Sequence, residues 1–187
     1  MKELGGQYVN PMGDTDTTFE IAFEQHVDEL FRYCSLRISD RERARELTQE
    51  TYLRAWEYLQ KGEAVREFRP FLYQILRRLI IDDYRKKKTV SLDAMITDDA
   101  DSIIESHIPQ SEHDEMEEAM DRFDGGRSLE ALQKLPELYR ETLMYRYINS
   151  LSLEEIANIT NESENVISVR IHRGLKKMRE ILEEQDI

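Results

Sequence analysis

A chain of 187 residues with 39 acids against 26 Lys and Arg carries a formal net charge of −13, with 40% of its residues apolar and 35% charged. That balance suits one or two small helical units better than one large core. It also excludes nucleic-acid binding by the surface at large, because so acidic a chain can approach a polyanion only where its cations are gathered. Apolar runs are too short to cross a bilayer, and MKELGGQYVNPMGDTDTTFE lacks the basic-then-apolar order of a secretory signal, so a cytoplasmic protein without membrane insertion is expected. Cys34 is the only cysteine, which rules out an internal disulfide and any cysteine-rich zinc site. Its apolar helical surroundings point to a buried thiol.

Residues 1–17 show no periodicity and read as a flexible tail. From Phe19 the pattern turns helical: Phe19, Ala22, Phe23, Val27, Leu30, Phe31 and Cys34 recur at three- and four-residue intervals, with Thr17 or Thr18 as the N-cap. A second helix starts at a capping Asp40, with Ala44, Leu47, Thr51, Leu53, Ala55, Trp56 and Leu59 as its apolar stripe. Gln49, Glu50 and Arg54 are left to solvent. After LQKGEAVREFRP, a third helix begins near Pro70, where proline fits the first turn. Phe71, Leu72, Ile75, Leu76, Leu79 and Ile80 face inward, while Gln74, Arg77, Arg78, Arg85 and Lys86 face outward. From Arg66 to Lys88 eight cations oppose three acids, a first basic patch of about +5.

The balance reverses from Thr89 to Arg127, where twelve acids meet only Arg122 and Arg127. Pro109, Gly125 and Gly126 mark a linker, within which SEHDEMEEAMDRF has the makings of a helix; His107 and His113 read as solvated linker residues rather than metal ligands. From Ser128 three or four further helices are expected, the last two forming a helix-turn-helix. Leu153, Ile156, Ala157 and Ile159 give the first an apolar face, TNES makes the turn, and the closing helix starts near Glu164. There Ile167, Ile171, Leu175, Met178 and Leu182 share one stripe, and Ser168, Val169, His172, Arg173 and Lys176 project away from it. Arg170, Arg173, Lys176, Lys177 and Arg179 against Glu180 make a second basic patch of about +4. An apolar back, a front of short or cationic residues and flanking cations are what a helix needs to enter the major groove.

These segments together resemble the extracytoplasmic-function sigma factors of bacterial RNA polymerase. The resemblance runs through ELTQETYLRAW, FRPFLYQILRRLIIDDYRKKK, LPELYRETLMYRYINSLSLEEIANI and VISVRIHRGLKKMRE, and covers most of residues 19–183. It implies an all-α chain of two small helical domains joined by an acidic linker, the C-terminal one containing the helix-turn-helix. Residues 18–88 would form the region-2-like domain, 89–127 the linker and 128–187 the region-4-like domain.

By resemblance, Glu46, Gln49, Glu50 and Leu53 grip the coiled coil of the polymerase's largest subunit. The loop Lys61 to Arg69, including Arg66 and Arg69, captures a flipped base of the minus-10 element, and Gln74, Arg77, Arg78 and Arg85 follow the melted strand. Tyr73 and Tyr84 are candidates for stacking there, or for the core. Ser168, Val169, His172 and Arg173 enter the major groove at the minus-35 element, with Lys176 and Lys177 near phosphates. The implied partners are the coiled coil and flap of core polymerase, promoter DNA and an anti-sigma factor; no metal, cofactor or catalytic group is implied.

Five positions depart from the family pattern. A basic residue is common where Ser168 stands, Asn161 replaces a turn glycine, Arg78 replaces an Asn, and Phe71 replaces a Trp. Glu162 takes the place of an apolar side chain that plugs the space between the two helices, so a repacked or less stable turn is expected. Two other readings remain open: a helix-turn-helix regulator that binds duplex DNA without polymerase, and an acidic protein-interaction module such as a polymerase or sigma antagonist. The acidic linker is read as a solvated tether, as an occupant of the channel where nascent RNA leaves the polymerase, or as a segment folded back on a basic patch.

Overall fold

The computed structural model describes residues 15–90 and 125–184. Most of the expected N-terminal tail and of the linker, with its SEHDEMEEAMDRF segment, His107 and His113, lies outside those residues; the two ends of the expected linker are helical instead, with Thr89 and Val90 closing one helix and Gly125, Gly126 and Arg127 opening another. Contacts divide the chain into two compact units, with the boundary between Thr97 and Asp98.

In the first unit, α1 (Thr15–Arg37), α2 (Arg41–Gln60) and α3 (Phe68–Val90) pack against one another. The helix α1 starts ahead of the expected cap, so residues 15–17 belong to it rather than to a tail. Asp40 caps α2 as its sequence suggests: its carboxylate accepts the backbone N–H groups of Glu42 (3.0 Å) and Arg43 (3.2 Å), two donors that no helical carbonyl can reach. Leu30, Tyr33, Cys34, Ala44, Leu47, Leu72, Tyr73, Leu76 and Ile80 close the core. Tyr33 and Tyr73 meet edge to face at 5.4 Å, so Tyr73 is a core residue and not a stacking platform. Burial pushes the Cys34 thiol up to about 12, which leaves it protonated and unreactive at neutral pH.

Two of the expected stripe residues stay outside this core. Phe23 is half exposed against the edge of Tyr52 (4.7 Å), and Leu53 is 58% exposed, its place in the core taken by Tyr52.

Ion pairs between residues forty positions apart set how these helices meet. Glu29 on α1 accepts both Nε (3.0 Å) and a terminal nitrogen (2.8 Å) of Arg69 at the start of α3, and His26 Nδ1 at 2.8 Å. On α3 the buried Asp83 accepts Arg43 Nε from α2 at 2.7 Å and Lys87 Nζ at 3.0 Å. Burial raises the pKa of both carboxyls, but the hydrogen bonds from His26 and Arg69 in one case, and from Arg43 and Lys87 in the other, outweigh it and hold both below the usual carboxylate values.

The second unit contains α4 (Gly125–Lys134), α5 (Glu137–Leu143), a π-helical turn (Met144–Ile148), α6 (Leu153–Thr160) and α7 (Glu164–Glu184). Helices α4, α5 and α6 all pack on α7, whose Ile167, Ile171, Leu175, Met178 and Leu182 are buried as their spacing predicts. Gly174 allows the close approach of α5: a Cβ there would lie 3.3 Å from Leu143. The π turn, closed by Asn149 N–H to Met144 C=O (3.1 Å), has no periodicity signal in the sequence. It delivers the chain to Ser150, which holds φ +53°, a left-handed conformation that glycine adopts at no steric cost and serine does not.

Two predictions follow from this frame. Glu29→Gln removes a charged acceptor and destabilises the first unit by about 1.5–3 kcal/mol at pH 7. Because the folded carboxyl has a lowered pKa, its stabilising contribution is present above the unfolded value and is lost as pH falls through the folded one. Unfolding of the wild type should therefore show a steeper loss of stability below about pH 5 than the Gln variant does. Ser150→Gly relieves the left-handed strain and should stabilise the second unit by up to about 1 kcal/mol, read from its thermal midpoint.

Candidate nucleic-acid interface

On α2 the residues Glu46, Gln49, Glu50 and Leu53 occur at i, i+3, i+4 and i+7, which places them on one face. The Glu46 and Glu50 side chains are 61% and 38% exposed, Gln49 is exposed, and Leu53 extends the face with its isobutyl group in solvent. Intramolecular pairs orient the acids: Arg43 donates to Glu46 at 2.7 Å while its Nε holds Asp83, and Arg54 donates to Glu50 at 2.6 Å. The Arg43–Asp83 brace was not legible in the sequence, since nothing in either segment marks a pairing across forty residues.

The loop between α2 and α3 turns at Gly62, where φ is +80°. Buried Val65 anchors it, and Lys61, Glu63, Ala64, Arg66 and Glu67 are exposed around it. Arg69, expected with this loop to help capture a flipped base, is placed otherwise. It is half buried and its guanidinium is committed to Glu29, so it locks the start of α3 rather than presenting a cation. Gln74, Arg77, Arg78 and Arg85 do share the outer side of α3, within an arc of about 100°. Arg78 and Arg85 are exposed, and Gln74 and Arg77 are half buried. Tyr84 is 39% exposed beside this face, its hydroxyl donating to the Arg37 carbonyl.

In the second unit the helix-turn-helix is built from local capping chemistry. Ser152 and Glu155 form a capping box at the start of α6: the Ser hydroxyl accepts Glu155 N–H at 3.1 Å, and the Glu carboxylate accepts Ser152 N–H at 2.7 Å. Asn161 ends α6 in the left-handed conformation (φ 59°, ψ 45°), the geometry the family meets with glycine and that Asn tolerates better than most residues. Ser163 Oγ then accepts Val166 N–H at 3.3 Å as α7 begins.

Along α7, Lys176 and Lys177 are exposed, and Ser168, His172 and Arg173 are half exposed. Arg173, Lys176, Lys177 and Glu180 line an open groove of about 210 Å³ with Tyr139, over whose ring Lys177 Nζ lies 5.6 Å from the centroid. Two expected features of this helix are corrected. Val169 is only 1% exposed, so its methyl groups are withdrawn from solvent and do not reach a base edge in this conformation. Arg170, counted among the cations of the basic patch, is 3% exposed and paired with Glu162, which lowers the charge offered by the helix. Glu162 itself repacks the turn with this ion pair in place of an apolar plug.

Among the described residues no cluster of His, Cys, Asp and Glu has the makings of a metal site, and no helix is long and apolar enough to cross a membrane. The arrangement offers recognition surfaces: an acidic-apolar face on α2, a cationic face on α3 and a helix-turn-helix.

Comparison with known proteins agrees with this division. Residues 22–90 match the family profile for Sigma-70 region 2, and residues 127–178 that for Sigma-70, region 4. The chain is 30% identical over 172 residues to the ECF RNA polymerase sigma factor SigW of Bacillus subtilis, covering 91% of each protein. It is 29% identical over 164 residues to the ECF sigma factor SigL of Mycobacterium tuberculosis, covering 87% of each.

Among solved structures, the sigma factor RpoE of Bartonella quintana, crystallised with the anti-sigma factor NepR, shares the fold. Its TM-score is 0.64 at 21% identity, over 89% of this chain and 98% of that one. CnrH in complex with the cytosolic domain of CnrY gives a TM-score of 0.63 at 20% identity, over 91% and 90%. With both sigma regions matched in order and a curated relative aligned over nine-tenths of its length, the chain belongs to the extracytoplasmic-function sigma factors of bacterial RNA polymerase.

Proposed function

We propose that this sigma factor assembles with core polymerase through Glu46, Gln49, Glu50 and Leu53, that it holds the opened minus-10 strand with Arg66, Gln74, Arg77, Arg78 and Arg85, and that it reads the minus-35 element with Ser168, His172 and Arg173 while Lys176 and Lys177 meet phosphates. The observation that carries the reading is Leu53. An isobutyl group 58% exposed one turn beyond two internally paired glutamates adds little to the fold, and suits a partner that buries it. The cationic side of α3 suits a single strand for a second reason: Arg78 and Arg85 are exposed there with Gln74 and Arg77 beside them, while the acids nearest the core, Glu29 and Asp83, are held by Arg69, Arg43 and Lys87.

In this role the protein is a binding subunit acting in the cytoplasm, and bond formation belongs to the polymerase. An anti-sigma factor is a further proposed partner, supported by the solved structure of the same fold in which RpoE is bound to the anti-sigma factor NepR.

The test is transcription by purified core polymerase from a library of random promoters, with and without the protein, followed by sequencing of transcript starts. Protein-dependent starts that share upstream motifs at the minus-35 and minus-10 distances support the reading. Absence of such starts, with tight duplex binding by the protein alone, replaces it with a regulator that acts without polymerase.

Two residue-level outcomes are expected. Leu53→Asp weakens association with core polymerase by about tenfold or more while changing stability by less than about 0.5 kcal/mol, because the side chain is exposed. Arg77→Ala combined with Arg78→Ala slows promoter opening and flattens its salt dependence by about two charges, leaving core binding unchanged.

A further inference from the structure

The sequence of Glu162 is at odds with the motif it sits in. Glu162 N–H bonds back to the Ala157 carbonyl at 3.1 Å, just past left-handed Asn161, so it occupies the second position beyond α6 in a Schellman-type ending. An apolar side chain commonly fills that position and packs back on the helix. Here a carboxylate reaches instead to Arg170, eight residues on and in the second turn of α7. One guanidinium nitrogen lies 2.7 Å from Glu162 Oε1 and the other 2.5 Å from Oε2, a fork-to-fork pair. Arg170 is 3% exposed, its Nε has no hydrogen-bond partner among the described residues, and Glu162 is the one acid paired with it there.

We propose that Glu162 is a positioning residue for minus-35 recognition: it fixes the start of α7 to the end of α6 by clamping Arg170, and it withholds that cation from DNA. This rests on the promoter reading above. A guanidinium at the edge of a core without its counter-charge is unfavourable, so removing the carboxylate drives Arg170 outward. Its neighbours at i+3 and i+7 are Arg173 and Lys177, so the released charge joins the cationic edge of α7 and becomes available to a phosphate. At the same time the angle between the two helices loses the bond that spans their turn. The pair thus trades affinity for orientation: the chain gives up one phosphate contact and gains a fixed presentation of Ser168, His172 and Arg173.

The experiment uses the holoenzyme on a promoter taken from the transcript-start library, comparing matched and scrambled minus-35 elements across a salt series. With Glu162→Ala, discrimination between the two elements falls by about tenfold, the size of one lost base contact, and the log–log salt slope steepens by about 0.9, that of one added phosphate contact. Adding Arg170→Met to that variant returns the slope to the wild-type value without restoring discrimination. The apolar pair Glu162→Ile with Arg170→Met refills the space between the helices and restores both. If Glu162→Ala fails to fold, Glu162→Gln takes its place with the same expected directions.

A purely structural role lowers the melting temperature alone and leaves discrimination and slope unchanged, which overturns the proposal. A wild-type holoenzyme indifferent to the minus-35 element overturns the promoter reading and this proposal together. Variants that match wild type on a promoter whose minus-35 element matters overturn the proposal alone.

Discussion

Charge pairing at the edge of each helical core is the constraint on which the functional surfaces depend. A chain with 39 acids and 26 Lys and Arg cannot present cations to DNA unless its own acids are kept away from them. In the first unit this is done by spending a few arginines inside: Arg69 on Glu29 and Arg43 on Asp83 and Glu46. These pairs tie α1 and α2 to α3, and they occupy the carboxylates closest to the core. Arg78 and Arg85, on the outer side of α3, are exposed to solvent. Such partly buried pairs are poor sources of net stability and good sources of specificity, because any other docking of the helices leaves a charge unpaired.

The same logic operates in the second unit on a smaller scale. Its helix-turn-helix is assembled from neighbouring residues: a capping box at Ser152 and Glu155, a left-handed Asn161, and a Ser163 hydroxyl at the start of α7. Local caps set where each helix begins and ends but leave the angle between them to packing. Gly174 against Leu143 and the Glu162–Arg170 pair supply that second part, one by close approach and one by charge. Both bear on the helix that carries Ser168, His172 and Arg173, so a change at either contact bears on how those side chains are held.

Three helices of the first unit and the closing pair of the second were legible from spacing alone, because an amphipathic helix declares its buried face every three or four residues. The position of Asp40 as a cap was legible for the same reason that caps are local: the acceptor and its two donors lie within three residues. Spacing misplaced Leu53, since a leucine buried at a stripe position and a leucine left exposed beside it have the same period. It also turned Val169 outward, while the charge count put Arg170 in the basic patch and the resemblance gave Arg69 to DNA. Their environments depend on residues outside their own helical turns, and nothing within the turn distinguishes an arginine that faces solvent from one that finds Glu29 or Glu162.

By itself, the sequence determined the helical class, the two concentrations of cations, the helix-turn-helix and the family, because periodicity, composition and capping are properties of short segments. Tertiary structure alone decided which charges are available. Arg69 and Arg170 are withdrawn by carboxylates forty and eight residues away, Tyr73 is taken into the core beside Tyr33, and Leu53 is left outside it. The physical reason is that an ion pair or an aromatic contact is made wherever folding brings two side chains together, and its energy carries no trace of their separation along the chain.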